Sequence, residues 1–418
     1  MKNPGSNAAD PGEHNTIVAG QTLSGEINGP ADLDVYSYDG VAGDFISVAM
    51  SGFGGIQLWA PDGTIEVAAG SWPAYLQAHR LEQGGRYLIV CSGSGGAYNL
   101  TLLKNPGPNA TDAGETNRIA AGQTLSGNIG DAADMDVYIY DGTAENFVTL
   151  AMSSAVGCCS LYPYVELWAP DGTIEATAAG ADWLYPNAAY LHAHRLQQSG
   201  PYLLVCSGLY HLPIGDYNLT LLQNPGPNAT EVGETNTAAA TRNGSIFGGA
   251  DMDAYTFEAA AGDSILVQLA KTSGYLNPHL DLWTPNGEVL QSVQGNLGMG
   301  PDSVATFYIE YLPLSGTYLL VCRDHLGYFN GGYTLFFTKR GSPPPTNAPP
   351  EFLQTVISFR TNRVLVRWST NAVGYHLQST EDLINWSNIP PPYGGFGGFY
   401  FVTNSIPPHK KFFRLIKP

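Results

Sequence analysis

Asp134-Met135-Asp136-Val137-Tyr138-Ile139-Tyr140 is the stretch on which the fold turns. Acidic and then aromatic side chains occupy every second position. In an extended strand, positions i, i+2, i+4 and i+6 share a face, so Asp134, Asp136, Tyr138 and Tyr140 point the same way. The pattern predicts a strand whose tyrosines enter a core and whose carboxylates sit at its rim. The same period of two runs through 147–152, 165–168, 190–196, 202–206 and 217–222. Gly, Pro, Asn and Asp separate these runs, as turn residues do. About eight short strands with no run of helical period imply an antiparallel β-sandwich.

The stretch belongs to a unit that occurs three times. Asn3-Pro4-Gly5 returns as Asn105-Pro106-Gly107 and as Asn224-Pro225-Gly226. Leu58-Trp59-Ala60-Pro61-Asp62-Gly63 matches Leu167-Trp168-Ala169-Pro170-Asp171-Gly172 and Leu282-Trp283-Thr284-Pro285-Asn286-Gly287. Tyr87 to Cys91 matches Tyr202 to Cys206 and Tyr318 to Cys322. A spacing of roughly 100 residues is one ordinary domain with its own core and too long for a solenoid unit. The expected organisation is three all-β sandwiches of jelly-roll type over 1–104, 105–223 and 224–340. A stiff Pro-rich linker over 341–350 then leads to a small domain over 351–418. Lys2-Asn3-Pro4-Gly5 repeats Lys104-Asn105-Pro106-Gly107, which suggests a trimmed chain or a fragment with more repeats upstream.

Composition narrows the functional class. The chain has 50 Gly, 29 Pro and 24 Tyr, with 13% charged residues, the balance of a turn-rich β protein. A net charge of -18 disfavours nucleic acid and anionic membranes as partners and suits divalent cations. No stretch has the length of a membrane span and no signal peptide is evident. Five cysteines exclude a complete disulfide framework. Cys91, Cys206 and Cys322 share one strand-end position and are expected as buried small hydrophobes.

Asp-x-Asp-x-Tyr, Leu-Trp-x-Pro-Asp-Gly and Leu-Pro-Leu-Ser-Gly-Thr-Tyr-Leu-Leu-Val resemble the bacterial pre-peptidase C-terminal domain. The collagen-binding domains of secreted clostridial collagenases are similar to that family. The third repeat matches best, through Asp251-Met252-Asp253-Ala254-Tyr255 and Leu314-Ser315-Gly316-Thr317-Tyr318-Leu319. The resemblance covers roughly 3–340 and carries no catalytic residues. It implies non-catalytic sandwiches appended to secreted enzymes, several of which bind calcium between an N-terminal linker and the sandwich. Gly-Tyr-x-Leu-Gln-Ser-Thr and the terminal Phe-Phe-Arg-Leu make 351–418 resemble a fibronectin type III-like module.

The strongest chemical constellation is acidic. Glu13, Asn15, Asp32 and Asp34 in repeat one correspond to Glu115, Asn117, Asp134 and Asp136 in repeat two, and to Glu234, Asn236, Asp251 and Asp253 in repeat three. Two desolvated like charges are costly unless compensated. A calcium ion with oxygen ligands from linker and strand would compensate them, and the resemblance points to the same positions. The competing reading has the carboxylates accepting backbone N–H bonds in turns. His192, His194 and His211 could hold zinc, but strand-surface histidines are the simpler expectation. Cys158-Cys159, if oxidised, would stiffen a loop near aromatic residues; packed free thiols are the plainer reading. Trp72, Trp183 and Tyr185 are the candidate ligand-stacking rings.

The expectation is a secreted, non-catalytic adhesion or scaffold protein, or the accessory region of a secreted enzyme, stiffened by calcium at the linkers. Its partners would be an extracellular polysaccharide, a matrix protein or further copies of itself, engaged multivalently. The alternative is a carbohydrate- or collagen-binding module that uses exposed aromatics. A hydrolase with a dispersed site is the third reading, since none of the local catalytic motifs is present.

Overall fold

The computed structural model describes residues 16–71, 73–107, 109, 118–155, 161–180, 188–209, 214–226, 228, 241–296, 303–341, 354–358, 363–369, 376–382, 384–390, 394–396, 399–405 and 411–416. Among them there are strands and turns and no α-helix. The chain divides into two compact units. The first is Met1–Phe257, Val267–Phe307 and Thr317–Phe337; the second is Glu258–Leu266, Tyr308–Gly316 and Thr338–Pro418.

Repeat one runs β1 (Gln21–Ile27), β2 (Leu33–Gly40), β3 (Phe45–Met50), β4 (Gly54–Trp59), β5 (Ile65–Ser71), β6 (Ala74–Arg80), β7 (Gly85–Gly93) and β8 (Gly96–Asn105). These form antiparallel sheets in the orders β1-β8-β3-β6 and β2-β7-β4-β5. Tyr36, Tyr87 and Ile89 from one sheet and Ile46, Val48 and Leu100 from the other meet in one core, which makes the pair a sandwich. Repeat two copies this with β9 (Gln123–Ile129), β10 (Asp136–Gly142), β11 (Phe147–Ser154), β12 (Pro163–Trp168), β13 (Ile174–Ala179), β14 (Ala189–Arg195), β15 (Gly200–Gly208) and β16 (Gly215–Asn224). Its sheets are β14-β11-β16-β9 and β10-β15-β12-β13. Repeat three uses β17 (Thr241–Ile246), β18 (Met252–Ala259), β19 (Ser264–Lys271), β20 (Pro278–Trp283), β21 (Val289–Gln294), β22 (Val304–Ile309), β23 (Gly316–Asp324) and β24 (Gly331–Arg340). The orders β17-β24-β19-β22 and β18-β23-β20-β21 repeat the topology.

Tyr138 and Tyr140 are buried, as the alternation requires. The thiols of Cys91, Cys206 and Cys322 lie inside the cores and are not joined in disulfides. The incoming chain also clips onto an edge. Ile17 N–H donates to Ser37 O and Ile119 N–H to Ile139 O, each at 3.0 Å, and both isoleucines plug the core. The edge strands β2 and β10 are thereby partly covered.

The second unit contains the C-terminal strands β25 (Gln354–Ser358), β26 (Arg363–Ser369), β27 (His376–Thr380), β28 (Ser387–Asn388), β29 (Gly394–Phe396), β30 (Phe399–Ser405) and β31 (Phe412–Ile416). A sheet β25-β26-β30-β29 and a sheet β28-β27-β31 enclose Val366, Trp368 and Leu377. Seven strands split four and three suit the fibronectin type III-like expectation.

Candidate functional site

Each acidic pair divides its labour. The first carboxylate caps a turn: Asn28 N–H donates to Asp32 at 2.6 Å, Gly130 N–H to Asp134 at 2.7 Å and Phe247 N–H to Asp251 at 2.7 Å. The second carboxylate lies inside the sandwich and accepts a tyrosine hydroxyl. Tyr98 donates to Asp34 at 2.6 Å, Tyr217 to Asp136 at 2.7 Å, and Tyr333 to Asp253. A second tyrosine extends each chain, as Tyr36–Tyr98, Tyr138–Tyr217 and Tyr255–Tyr333 hydroxyl pairs at 2.7, 2.7 and 2.6 Å. Burial, with neighbouring ionisable groups adding to it, drives the Tyr98, Tyr217 and Tyr333 hydroxyls far above the usual phenol range. They remain donors at any ordinary pH.

Gly25, Gly127 and Gly244 face Tyr98, Tyr217 and Tyr333 across the sheet. A Cβ on Gly25 would come within 2.5 Å of the Tyr98 ring, and the other two positions are tighter still. The glycine makes room for the tyrosine that reaches the aspartate. Glu13, Asn15, Glu115, Asn117, Glu234 and Asn236 lie outside the described residues. Calcium takes six to eight oxygen ligands. The described residues supply two carboxylates per repeat, each already holding a hydrogen-bond donor. Among them no group of three His, Cys, Asp or Glu is placed to hold a metal. By themselves they do not compose a calcium site.

The sequence reading missed the faces between modules. Ala49 and Leu103 of repeat one pack with Met135, Trp168, Leu203 and Val205 of repeat two. Ala151 and Leu222 of repeat two pack with Met252, Trp283, Leu319 and Val321 of repeat three. The outer face of one β3-type sheet therefore lies on the outer face of the next β2-type sheet. Corner contacts explain two of the repeated motifs. Asn105 Nδ2 donates to Ala169 O at 2.7 Å, and Asn224 Nδ2 to Thr284 O at 2.9 Å. Gly172 and Gly287, in the Pro-Asp-Gly and Pro-Asn-Gly turns, lie so close to the Phe45 and Phe147 rings that a Cβ would collide. The Asn-Pro-Gly segments at Asn105 and Asn224 thus begin as part of a junction.

A buried polar latch sits in each apolar junction. At the first, Gln77 Nε2 and Tyr75 Oη donate to Glu166, the tyrosine at 3.3 Å, and Trp168 Nε1 donates at 2.7 Å. Burial raises the Glu166 carboxyl, although these three donors work against the rise. At the second, Asp281 is fully buried and accepts Arg323 Nε at 3.0 Å. His279 Nε2 lies 3.1 Å from Asp281 and His192 of repeat two lies 3.6 Å from it. The Arg323 guanidinium stacks 4.4 Å above the Tyr190 ring. Burial pushes Asp281 up, but the His279 hydrogen bond and the Arg323 charge outweigh it and hold the carboxyl well below its usual range. His325 stacks on His279 with their Nδ1 atoms 2.9 Å apart; burial, then His279 and Arg323, lower its pKa.

Ser292 Oγ is 2.9 Å from His279 Nε2, which puts Ser, His and Asp in one cluster. The serine and Asp281 both meet Nε2, however, and Nδ1 faces His325. A catalytic base needs its two nitrogens on different partners, one oriented by the acid and one facing the nucleophile. This cluster has the residue types of a triad without its geometry. A cleft of ≈ 480 Å³ at the corner of the second junction is lined by Asn224, Pro225, Gly226, Asn228, Thr256, Pro285, Thr317, Tyr318 and Leu319. None of these is an acid, a base or a histidine.

His194 is held by Glu175 at 2.8 Å within its own repeat, and His192 belongs to the second junction. The strand-surface expectation therefore fits neither fully: one is paired, and the other bridges modules. His211, Cys158, Cys159, Trp72, Trp183 and Tyr185 lie outside the described residues.

No protein-family model matches the chain, and no curated protein matches it. Among solved structures, the PBSX exported protein XepA is 9% identical with a TM-score of 0.18, covering 53% of this chain and 88% of its own. The central fibronectin-III array of RIM-binding protein is 11% identical with a TM-score of 0.14, covering 69% and 94%. The arabinofuranosyltransferase AftD from Mycobacteria is 9% identical with a TM-score of 0.18; the match covers 95% of this chain and 39% of AftD. Similarity at this level carries no functional argument.

Proposed function

We propose that this chain is a non-catalytic structural protein whose three sandwiches form a stiff array for adhesion or scaffolding, or for the accessory region of a secreted enzyme. The observation that carries the reading is the pair of junctions, each an apolar sheet-on-sheet contact with a buried polar latch. Two sandwiches joined only by a chain would sample many orientations. Two sandwiches that share a buried tryptophan and a buried carboxylate hold one. Repeated surfaces held at constant spacing suit multivalent contact with a polysaccharide, a matrix protein or further copies of the chain. The pre-peptidase C-terminal resemblance supports the same class. Small-angle scattering of the chain and of a Trp168→Asp, Trp283→Asp variant tests this. One fixed arrangement of the sandwiches that becomes flexible in the variant supports the array. Equal flexibility in both sinks it.

Calcium belongs to this reading through the spacing of the acidic sets and the family resemblance. Its test is thermal unfolding with chelator or with calcium at about 10 mM, on the order of 10–100 times the roughly 0.1–1 mM Kd of extracellular calcium modules. Calcium should raise the melting temperature, and Asp136→Ala should remove the rise of repeat two. An unchanged transition removes calcium and leaves the junctions as the source of stiffness. A glycan and matrix-protein array, run with and without calcium, identifies the ligand.

A further inference from the structure

We infer that the outer face of repeat one's sheet β2-β7-β4-β5 is a docking surface for one further sandwich module of this build, one that presents a Phe–Ala–Leu face. The inference rests on the reading of the two junctions as permanent module contacts. In repeats two and three the equivalent face receives the preceding module. Met135 and Met252 are 5% and 6% exposed there, and Trp168 and Trp283 are fully buried. Repeat one keeps the same chemistry, with Leu33 and Trp59 at those positions and Ile65 where Ile174 packs. Leu33 is 47% exposed and Ile65 49%, and Trp59 is only half-buried. Leu33 and Ile65 lie on the two edge strands and flank the buried Leu88 and Val90; exposed apolar side chains at both edges of one sheet face mark it as an interaction surface.

The chemistry of the occupant follows from the two junctions that are filled. Both donor faces offer a phenylalanine and an alanine from the β3-type strand, Phe45 and Ala49 or Phe147 and Ala151. Both add a leucine and an asparagine from the last strand, Leu103 and Asn105 or Leu222 and Asn224. Aligned on Tyr98 and Tyr333, repeat three has Ser264, Gln268, Thr338 and Arg340 at these places. The donor faces of repeats one and two are occupied within the chain, and in repeat three β19, β22 and β24 expose a different apolar set, Leu266, Val304, Tyr308 and Phe336, without Phe, Ala and Leu at the matching places. A second copy of this chain therefore offers no free face with the Phe–Ala–Leu–Asn pattern of the two filled junctions. The occupant is a module whose Phe–Ala–Leu face is intact.

The experiment places a second copy of residues 3–104 directly ahead of Asn3, which recreates the Leu-Lys-Asn-Pro-Gly passage of the first junction. Leu33→Asp and Ile65→Asp are then made together in the original repeat one, in both the native and the extended chain. Both side chains are exposed in the native chain, so the pair should shift its melting temperature by less than about 1 °C. In the extended chain the same pair should lower it by about 5 °C or more. Equal small shifts in both chains overturn the inference. If the native chain dimerises in sedimentation and the two aspartates abolish it, the occupant is a second copy, and the inference is again wrong. Met135→Asp in the native chain separates this from the array reading. If Met135→Asp destabilises while the Leu33 and Ile65 pair does nothing in the extended chain, only the present inference fails. If Met135→Asp is silent, the array itself fails.

Discussion

Asp136 shows how a single carboxylate can be made safe inside a sandwich. It accepts Tyr217, Tyr217 is paired with Tyr138, and Gly127 leaves the space that Tyr217 fills. Tyr217→Phe removes the donor and leaves a buried carboxylate short of a partner, a loss of roughly 1–3 kcal/mol. Gly127→Ala forces the ring to move and should cost a similar roughly 1–3 kcal/mol. Urea unfolding measures both, and a neutral Tyr217→Phe would show that the chain of hydroxyls is incidental. The titrating residues of the junctions make a second prediction, in which the two junctions answer pH in opposite directions. The Glu166 carboxyl is raised above its ordinary 4.5, so its stabilising share is complete below pH 4.5 and is lost as pH rises through the folded value. His325 is lowered from 6.5, so its share is complete above pH 6.5 and is lost as pH falls. Asp281, lowered from 3.8, adds a further loss at more acidic pH. Hydrogen exchange between pH 7 and 5 should therefore show β6 becoming better protected and β14 less protected. Parallel changes in the two strands would refute the assignment.

At the scale of the element, the junction strands are unlike ordinary surface strands. β10 buries Tyr138 and Tyr140 inward and turns Val137 and Ile139 toward the first junction. A strand apolar on both faces belongs to a sheet that is covered on both sides. That signal was present in Met135-Val137-Ile139, but the acidic and aromatic positions between them claimed the reading. β6 and β14 carry a related device. Ala78 and Ala193 adopt positive φ at a register shift, and Ser47 and Thr149 hydroxyls accept their N–H groups at 2.9 and 3.0 Å. Bulges of this kind re-aim side chains, and here the re-aimed positions adjoin Gln77 and His192, the latch residues. Trp168→Ala should cost roughly 3–5 kcal/mol, the range for truncating a large buried aromatic. Because Trp168 serves the junction, unfolding of the variant should split into separate transitions for repeats one and two. A single shifted transition would mean that the modules couple by another route.

For the whole molecule, the three repeats are equivalent in topology and differ in what their outer faces carry. The Gln77–Glu166 latch is neutral donor to acid, while the second latch sets His192 against Asp281 and Arg323. Exchanging latches should therefore be costly. Gln77→His with Glu166→Asp, without a counterpart for Arg323, should lower the melting temperature by about 2–4 °C per kcal/mol lost, the scale for two repeats unfolding together. An unchanged melting temperature would mean that the latches do not define module order. Strands, sandwich class, buried tyrosines and buried thiols were all legible in the sequence, because alternation and turn chemistry are local properties of the chain. The cap role of Asp32, Asp134 and Asp251 was one of two readings that the residues left open. What only the tertiary structure decided was partnership across distance. Tyr217 reaches Asp136 across 81 positions, and Gln77 finds Glu166 across 89. An outward apolar residue looks the same in sequence whether water or a neighbouring sandwich covers it, and only the stacking of one sheet on the next determines which.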